Sequence, residues 1–175
     1  MSTEEHRRNA PASVRCIVVT ISDTRTQETD TSGDAIAGLL ATNGHEIRLR
    51  TIVKDDPAAV QHAIRSSLPA AQVVITTGGT GITSRDSTYE AISALLEKRI
   101  EGFGELFRSL SFQEIGAAAM LSRACAGTIG RTAVFALPGS EHAVRLAMTR
   151  LILPEIGHVV RELSLIHISE PTRRS

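Results

Sequence analysis

The stretch TTGGTGITSRDSTYEA, residues 76–91, places glycines at 78, 79 and 81 directly after the apolar run Val73-Val74-Ile75. Glycine permits backbone conformations and close approaches that a Cβ forbids, and successive N–H groups in such a turn can line a concavity for an anion. Two readings compete here: Gly78, Gly79, Thr80 and Gly81 cradle a phosphate chain, or they make a turn and nothing more. The stretch is not a P-loop, because G-x-x-x-x-G-K-[ST] is absent. It is not the dinucleotide fingerprint either, since Gly79-Thr80-Gly81 runs on into Ile82-Thr83-Ser84. Asp86 sharpens the choice. A carboxylate beside bound phosphate repels it unless a divalent cation stands between them; otherwise Asp86 is a surface residue paired with Arg85.

Three more segments carry candidate chemistry. Lys54-Asp55-Asp56-Pro57 contains two carboxylates, of which Asp56 reads as the cap of a helix whose first residue is Pro57. Asp55 is then the candidate for metal or nucleotide work, with a solvated turn residue as the alternative. Pro138-Gly139-Ser140 opens a helix, where exposed N–H donors meet an anion or Ser140 is an ordinary cap. TDTSGD, residues 29–34, brings Asp30, Ser32 and Gly33 to another helix start. Three glycine-bearing loops on one edge suggest a ligand with several phosphates. Ser87-Thr88-Tyr89-Glu90 reads as a capping box, which makes Glu90 structural. The six histidines show no ligand-pair spacing, and no Ser-His-Asp arrangement stands out.

These loops need a frame that brings them together. Residues 14–22, 45–53 and 71–77 read as strands; the second alternates Ile47 and Leu49 with Arg48 and Arg50, as a half-exposed edge does. Residues 33–44, a segment from Pro57, and STYEAISALLEKRI read as helices, with Asp30 or Ser32 capping the first. A helix from Glu101 to about Ala119 is divided near SLSFQEIG. RACAGTIG and RTAVFALPG form a strand pair, and a last helix runs from Ser140 to about Leu163, bent near Pro154. Strands alternating with helices predict an α/β fold, a mostly parallel sheet with helices on both faces and an antiparallel edge.

The 175 residues suit one domain, here residues 14–163, after a flexible polar start over 1–13. Residues 164–175, SLIHISEPTRRS, read as a non-native or disordered tail appended to a finished helix. With no Trp, four Phe and one Tyr, the core rests on Val, Ile, Leu and Ala. Nineteen basic residues balance nineteen acidic ones, which argues against a nucleic-acid partner. Cys16 and Cys125 read as buried reduced thiols. With neither a leader core nor an apolar run of membrane-spanning length, a soluble cytoplasmic protein is expected.

DTSG, TTGGTGITSRDSTYEA, EGFGELFR, EIGAAAMLSRA and FALPGS, in that order and spacing, resemble the MoaB/MogA family of molybdenum-cofactor biosynthesis proteins, related to the gephyrin G domain. The likeness covers Val14 to about Leu163 and leans to the MoaB branch. It implies a three-layer αβα fold and transfer of the adenylyl group of ATP to molybdopterin with Mg²⁺, releasing pyrophosphate. It implies catalytic and metal roles for Asp55 and Asp86, and a nucleotide cradle at Gly78, Gly79, Thr80 and Gly81. Asp30, Ser32, Gly33, Ser122, Pro138, Gly139 and Ser140 would line the pocket, the last of them near the pterin or its phosphate. It further implies a homotrimer or hexamer and contact with other proteins of the pathway. Within the MoaB branch, the same match also suits a carrier that binds molybdopterin or nucleotide without turnover. The chain departs from the family at Lys54, where relatives have proline, and at Ser87 and Tyr89 within RDSTYEA; neither change removes a carboxylate.

Overall fold

A computed structural model describes residues 2–8, 10, 12–82 and 87–169, the side chains of 6–8 and 166–169 aside. Six strands make one sheet: β1 Arg15–Ile21, β2 Glu46–Val53, β3 Val73–Thr77, β4 Lys98–Arg99, β5 Cys125–Ile129 and β6 Thr132–Leu137. Their spatial order is β2-β1-β3-β6-β5-β4, parallel from β2 through β6 and antiparallel over the last two pairs. Every residue of β3 and β6 is buried, as their unbroken apolar runs require in a sheet covered on both faces.

Two apolar clusters lie on opposite faces of the sheet. One joins Val18, Ile75, Phe135 and Leu137 to α2 Thr31–Thr42, α5 Glu101–Ile115, α6 Glu141–Ala147 and α7 Leu153–Ser169. The other joins Val19, Val74 and Val134 to α3 Pro57–Ser67 and α4 Thr88–Leu95. This is the expected α/β sandwich with an antiparallel edge.

Local signals hold at several helix starts. The Asp56 carboxylate accepts from the Ala59 N–H at 2.8 Å ahead of Pro57, and Ser140 accepts from Ala143 at 3.3 Å. Asp30, rather than Ser32, caps α2, accepting from the Gly33 N–H at 3.0 Å.

Elsewhere the expected pattern yields to geometry. β2 is an edge, but a bulge skips Arg48 in the pairing with β1, so Arg48 and Leu49 both face outward. The helix expected over residues 87–100 stops at Leu95, because Lys98–Arg99 pair with β5. α5 ends at Gly116, whose φ of 73° breaks the helix, and a 3₁₀ turn follows over Gly116–Leu121. The last helix is three pieces: α6, a wide π turn at Met148–Ile152, and α7. The wide turn sits immediately before Pro154, which has no N–H to donate to the preceding turn. α7 passes Leu163 and continues to Ser169, so the helix is not complete where the tail was expected to begin. The polar start is helical too. α1 Thr3–Arg8 is opened by a reciprocal cap between Ser2 and Glu5 and lies against α7.

Candidate functional site

The chain runs from β1 to β2 on one side and returns past β1 to β3 on the other, so the direction of strand order reverses at the β1/β3 boundary. In open α/β sheets the crevice outside the strand C-termini at such a point is where ligands bind. The loops after β1, β2, β3 and β6 all emerge there. Because β5 runs antiparallel, the segment entering it, Ser122–Ala124, arrives at the same edge.

The glycine loop after β3 occupies the middle of this edge. Gly78 and Gly79 have φ of 97° and 73°. A Cβ on Gly78 would lie 2.3 Å from the Ile21 carbonyl oxygen, so β1 and the loop approach as only glycine allows. Thr77 Oγ1 donates to the Pro138 carbonyl at 2.8 Å and Gly78 N–H to Leu137 at 3.0 Å, docking the β6 loop beside the glycines. Together Gly78–Gly81 and Pro138–Ser140 form one wall of a cleft of about 390 Å³. The facing wall is mostly apolar, built by Phe107, Ile115, Ala118, Ala119 and Leu121, with Ser111, Ser122 and Arg123 as its polar groups. A phosphate can meet backbone donors on one side while a flat ring rests on aliphatic carbon on the other. A second depression, about 490 Å³ over Gln27, Arg50, Thr51 and Ile52, lies on the β2 edge and holds none of the glycine backbone.

The expected site residues divide into three sets. Gly78, Gly79, Thr80, Gly81, Ser122, Pro138, Gly139 and Ser140 line the cleft. Asp30, Ser32 and Gly33 do not; they are buried behind it. Asp30 is 0% exposed and accepts from Thr20 Oγ1 at 2.7 Å, the Gly33 N–H and Arg50 Nη2 at 3.1 Å. Burial pulls its pKa up, but the bonds from Thr20, Gly33 and Arg50 outweigh that and hold the carboxyl below its ordinary value. Ser32 Oγ donates to the Gly139 carbonyl at 2.7 Å, so this group shapes the β6 loop from beneath.

Asp55 lies on the other flank of the glycine loop. Its Oδ1 accepts from Thr88 Oγ1 at 2.6 Å and would stand 3.5 Å from a Cβ on Gly79. Its N–H donates to the Asp23 carboxylate at 3.1 Å, which brings a second acid to the same place. Asp86 lies outside the described residues. Among the described residues no three His, Cys, Asp or Glu side chains gather as a metal cage.

Glu90 is not part of a capping box. Ser87 is left-handed, with φ of 55°, and makes no side-chain cap, while Glu90 pairs with Arg123 at 2.6 Å. That contact, more than any other, pulls the Glu90 carboxyl below its ordinary range. Sequence reasoning passed over Asp23, Arg25 and Arg123. Arg25 reaches the Gly139 carbonyl at 3.3 Å, and Arg123 reaches the carbonyls of Thr80 and Gly81. No local signal marks them, because their partners are far away along the chain.

A family model described as a probable molybdopterin binding domain matches residues 17–158. The chain belongs to this family, the MoaB/MogA molybdopterin-binding proteins of molybdenum cofactor biosynthesis. It is 57% identical to molybdenum cofactor biosynthesis protein B of Bacillus cereus, over 93% of this chain and 98% of that protein. A crystal structure of a molybdenum cofactor biosynthesis protein B superposes with a TM-score of 0.85 at 57% identity, covering 89% of this chain and 99% of that one. The tungsten cofactor synthesizing protein MoaB of Pyrococcus furiosus superposes at 0.79 with 39% identity, covering 88% and 99%. The pathway role of the chain is therefore molybdenum cofactor biosynthesis.

Proposed function

We propose that the chain is a molybdopterin adenylyltransferase. The terminal phosphate of molybdopterin attacks the α-phosphorus of ATP, the bond to the β-phosphate oxygen breaks, and adenylyl-molybdopterin and pyrophosphate leave. One observation carries this reading: a glycine backbone cradle and an apolar wall face each other across the cleft, with the Asp55 carboxylate on the cradle's flank. Bringing two anions together needs fixed donors aimed at the phosphates, and preorganised donors lower the barrier without reorganising during reaction.

Mg²⁺ fits this donor set. It commonly takes one or two carboxylates and fills its remaining positions with phosphate oxygens and water, so a three-residue cage is not required. Asp55, with Asp23 beside it and Asp86 by sequence position, would hold the ion, which supplies charge neutralisation at the phosphates. Thr88 orients Asp55, and the Pro138–Ser140 turn receives the pterin or its phosphate.

The test is direct. Purified protein with molybdopterin, ATP and Mg²⁺ should release pyrophosphate and form the adenylylated pterin. Asp55→Asn is expected to lower turnover by about 10²-fold, the scale of removing one group aimed at developing charge. An inactive parent protein that still binds molybdopterin would make it a carrier instead. We further propose a homotrimer or hexamer built on the exposed apolar strip of α5 and the 3₁₀ turn, where Phe112 is 60% and Met120 77% exposed.

A further inference from the structure

Arg123 stands between the glycine loop and α4 and is committed to both. Its Nε donates to the Thr80 carbonyl at 3.1 Å, its Nη2 to the Gly81 carbonyl at 3.0 Å, and its Nη1 to the Glu90 carboxylate at 2.6 Å. The guanidinium carbon lies 4.3 Å from the centroid of the Tyr89 ring, a cation over an aromatic face. Glu90 offsets the charge, and the fork is turned to two loop carbonyls. This is the disposition of a group that holds backbone, and a poor one for gripping an anion itself.

What the fork sets is the direction of two peptide planes. No peptide bond of the described chain is cis, so each N–H points opposite to the carbonyl of its own plane. With the Thr80 and Gly81 carbonyls drawn to Arg123, the N–H groups of Gly81 and Ile82 turn to the other side of the loop. Glycine does little by itself to choose between the two orientations of such a plane, since both signs of φ are open to it. The choice is made from outside, by a donor on a different strand connection. Arg108 secures that donor in turn. Its Nη1 reaches the Ala124 carbonyl at 2.9 Å and the Ser122 carbonyl at 3.4 Å, on either side of Arg123.

We propose that Arg123 is a positioning residue of the phosphate cradle: its fork draws two loop carbonyls back so that the Gly81 and Ile82 N–H groups are presented to phosphate oxygens. The proposal rests on the nucleotide reading above and adds to it the group that makes the loop a donor surface. Arginine is required because a planar guanidinium spans two carbonyls at fixed angle, whereas a lysine ammonium meets them as a point. Glu90 and Tyr89 hold the plane of the fork.

Backbone NMR on the full chain tests both layers, using wild type, Arg123→Ala and Arg123→Lys. Without ligand, the Thr80 and Gly81 carbonyl ¹³C resonances should both move upfield in Arg123→Ala, and at least one of them in Arg123→Lys, as carbonyls do on losing a charged donor. Amides of β1 and β3 serve as the control for an intact fold and should be unchanged. Unmoved Thr80 and Gly81 carbonyl resonances in both variants would overturn the proposal whatever the ligand. With ATP and Mg²⁺, wild type should shift the Gly81 and Ile82 resonances, and both variants should bind about tenfold more weakly. Equal affinity with identical shifts in Arg123→Ala would also overturn it. Displaced carbonyl resonances in the variants, with no ATP binding by wild type, would uphold the hold of Arg123 on the loop and sink the nucleotide reading instead.

Discussion

Gly78 and Asp30 show how single residues near the cleft are fixed by what surrounds them. Gly78→Ala meets two penalties at once, a φ of 97° and a carbonyl oxygen 2.3 Å from the new carbon. We expect a loss of about 2 kcal/mol or more in urea unfolding, from strain that has no flexible side chain to absorb it. Asp30→Ala removes the α2 cap and the partner of both Thr20 and Arg50, at an expected cost of about 3 kcal/mol at pH 7. Its pH dependence has a definite sign. The folded carboxyl titrates below its ordinary value of 3.8, so its stabilisation is present above that value and is lost as pH falls through the folded one. The penalty of Asp30→Ala in urea should therefore shrink below about pH 4; an equal penalty at pH 3 and pH 7 would refute the assignment. Cys16 lies buried, and burial pushes its thiol up to about 12, so thiol reagents should modify it at the rate of unfolding.

At the scale of elements, what was legible in the sequence is what local physics decides. β1 and β3 announce themselves through β-branched runs, and α3 through Asp56 and Pro57, since these signals need no distant partner. The roles of Asp30 and Glu90 were not legible. Asp30 looks like a pocket residue until Thr20 and Arg50 close around it, and Glu90 fits a capping box until Arg123, 33 residues on, takes its carboxylate. The bulge in β2 and the two-residue strand β4 are set by neighbouring strands and leave no mark in their own residues. For the cleft, the glycine loop and the Pro138–Ser140 turn were named from glycine and cap chemistry, and the third named loop, with Asp30, Ser32 and Gly33, lies behind it; its apolar wall was not named, because α5 and the 3₁₀ turn read only as a helix. α7 offers a test of a boundary. Among the described side chains Leu163 is the last of α7 in the main core cluster, and a chain ending after Ser164 is expected to keep the fold, with a thermal midpoint lowered by a few degrees at most.

The whole molecule is a sheet with its candidate site on one edge and an exposed apolar surface close by. Among the described residues no helix is long and apolar enough to cross a membrane. Leu106, Phe112, Ile115, Met120 and Leu121 are each more than half exposed along α5 and the turn that follows it. Phe112→Glu is expected to shift sedimentation toward the monomer while leaving the Phe103–Phe107 core stack in place. Ile115 and Leu121 belong to both regions, lining the cleft while also standing on the exposed strip. On the proposed function, assembly and ligand capture would share atoms, and linkage would make them reciprocal: whatever factor self-association adds to ATP affinity, ATP must add to self-association. A dilution series should show the apparent Kd for ATP drifting with protein concentration in the parent chain and standing still in Phe112→Glu. The strip would then act as a concentration gauge for the site beside it.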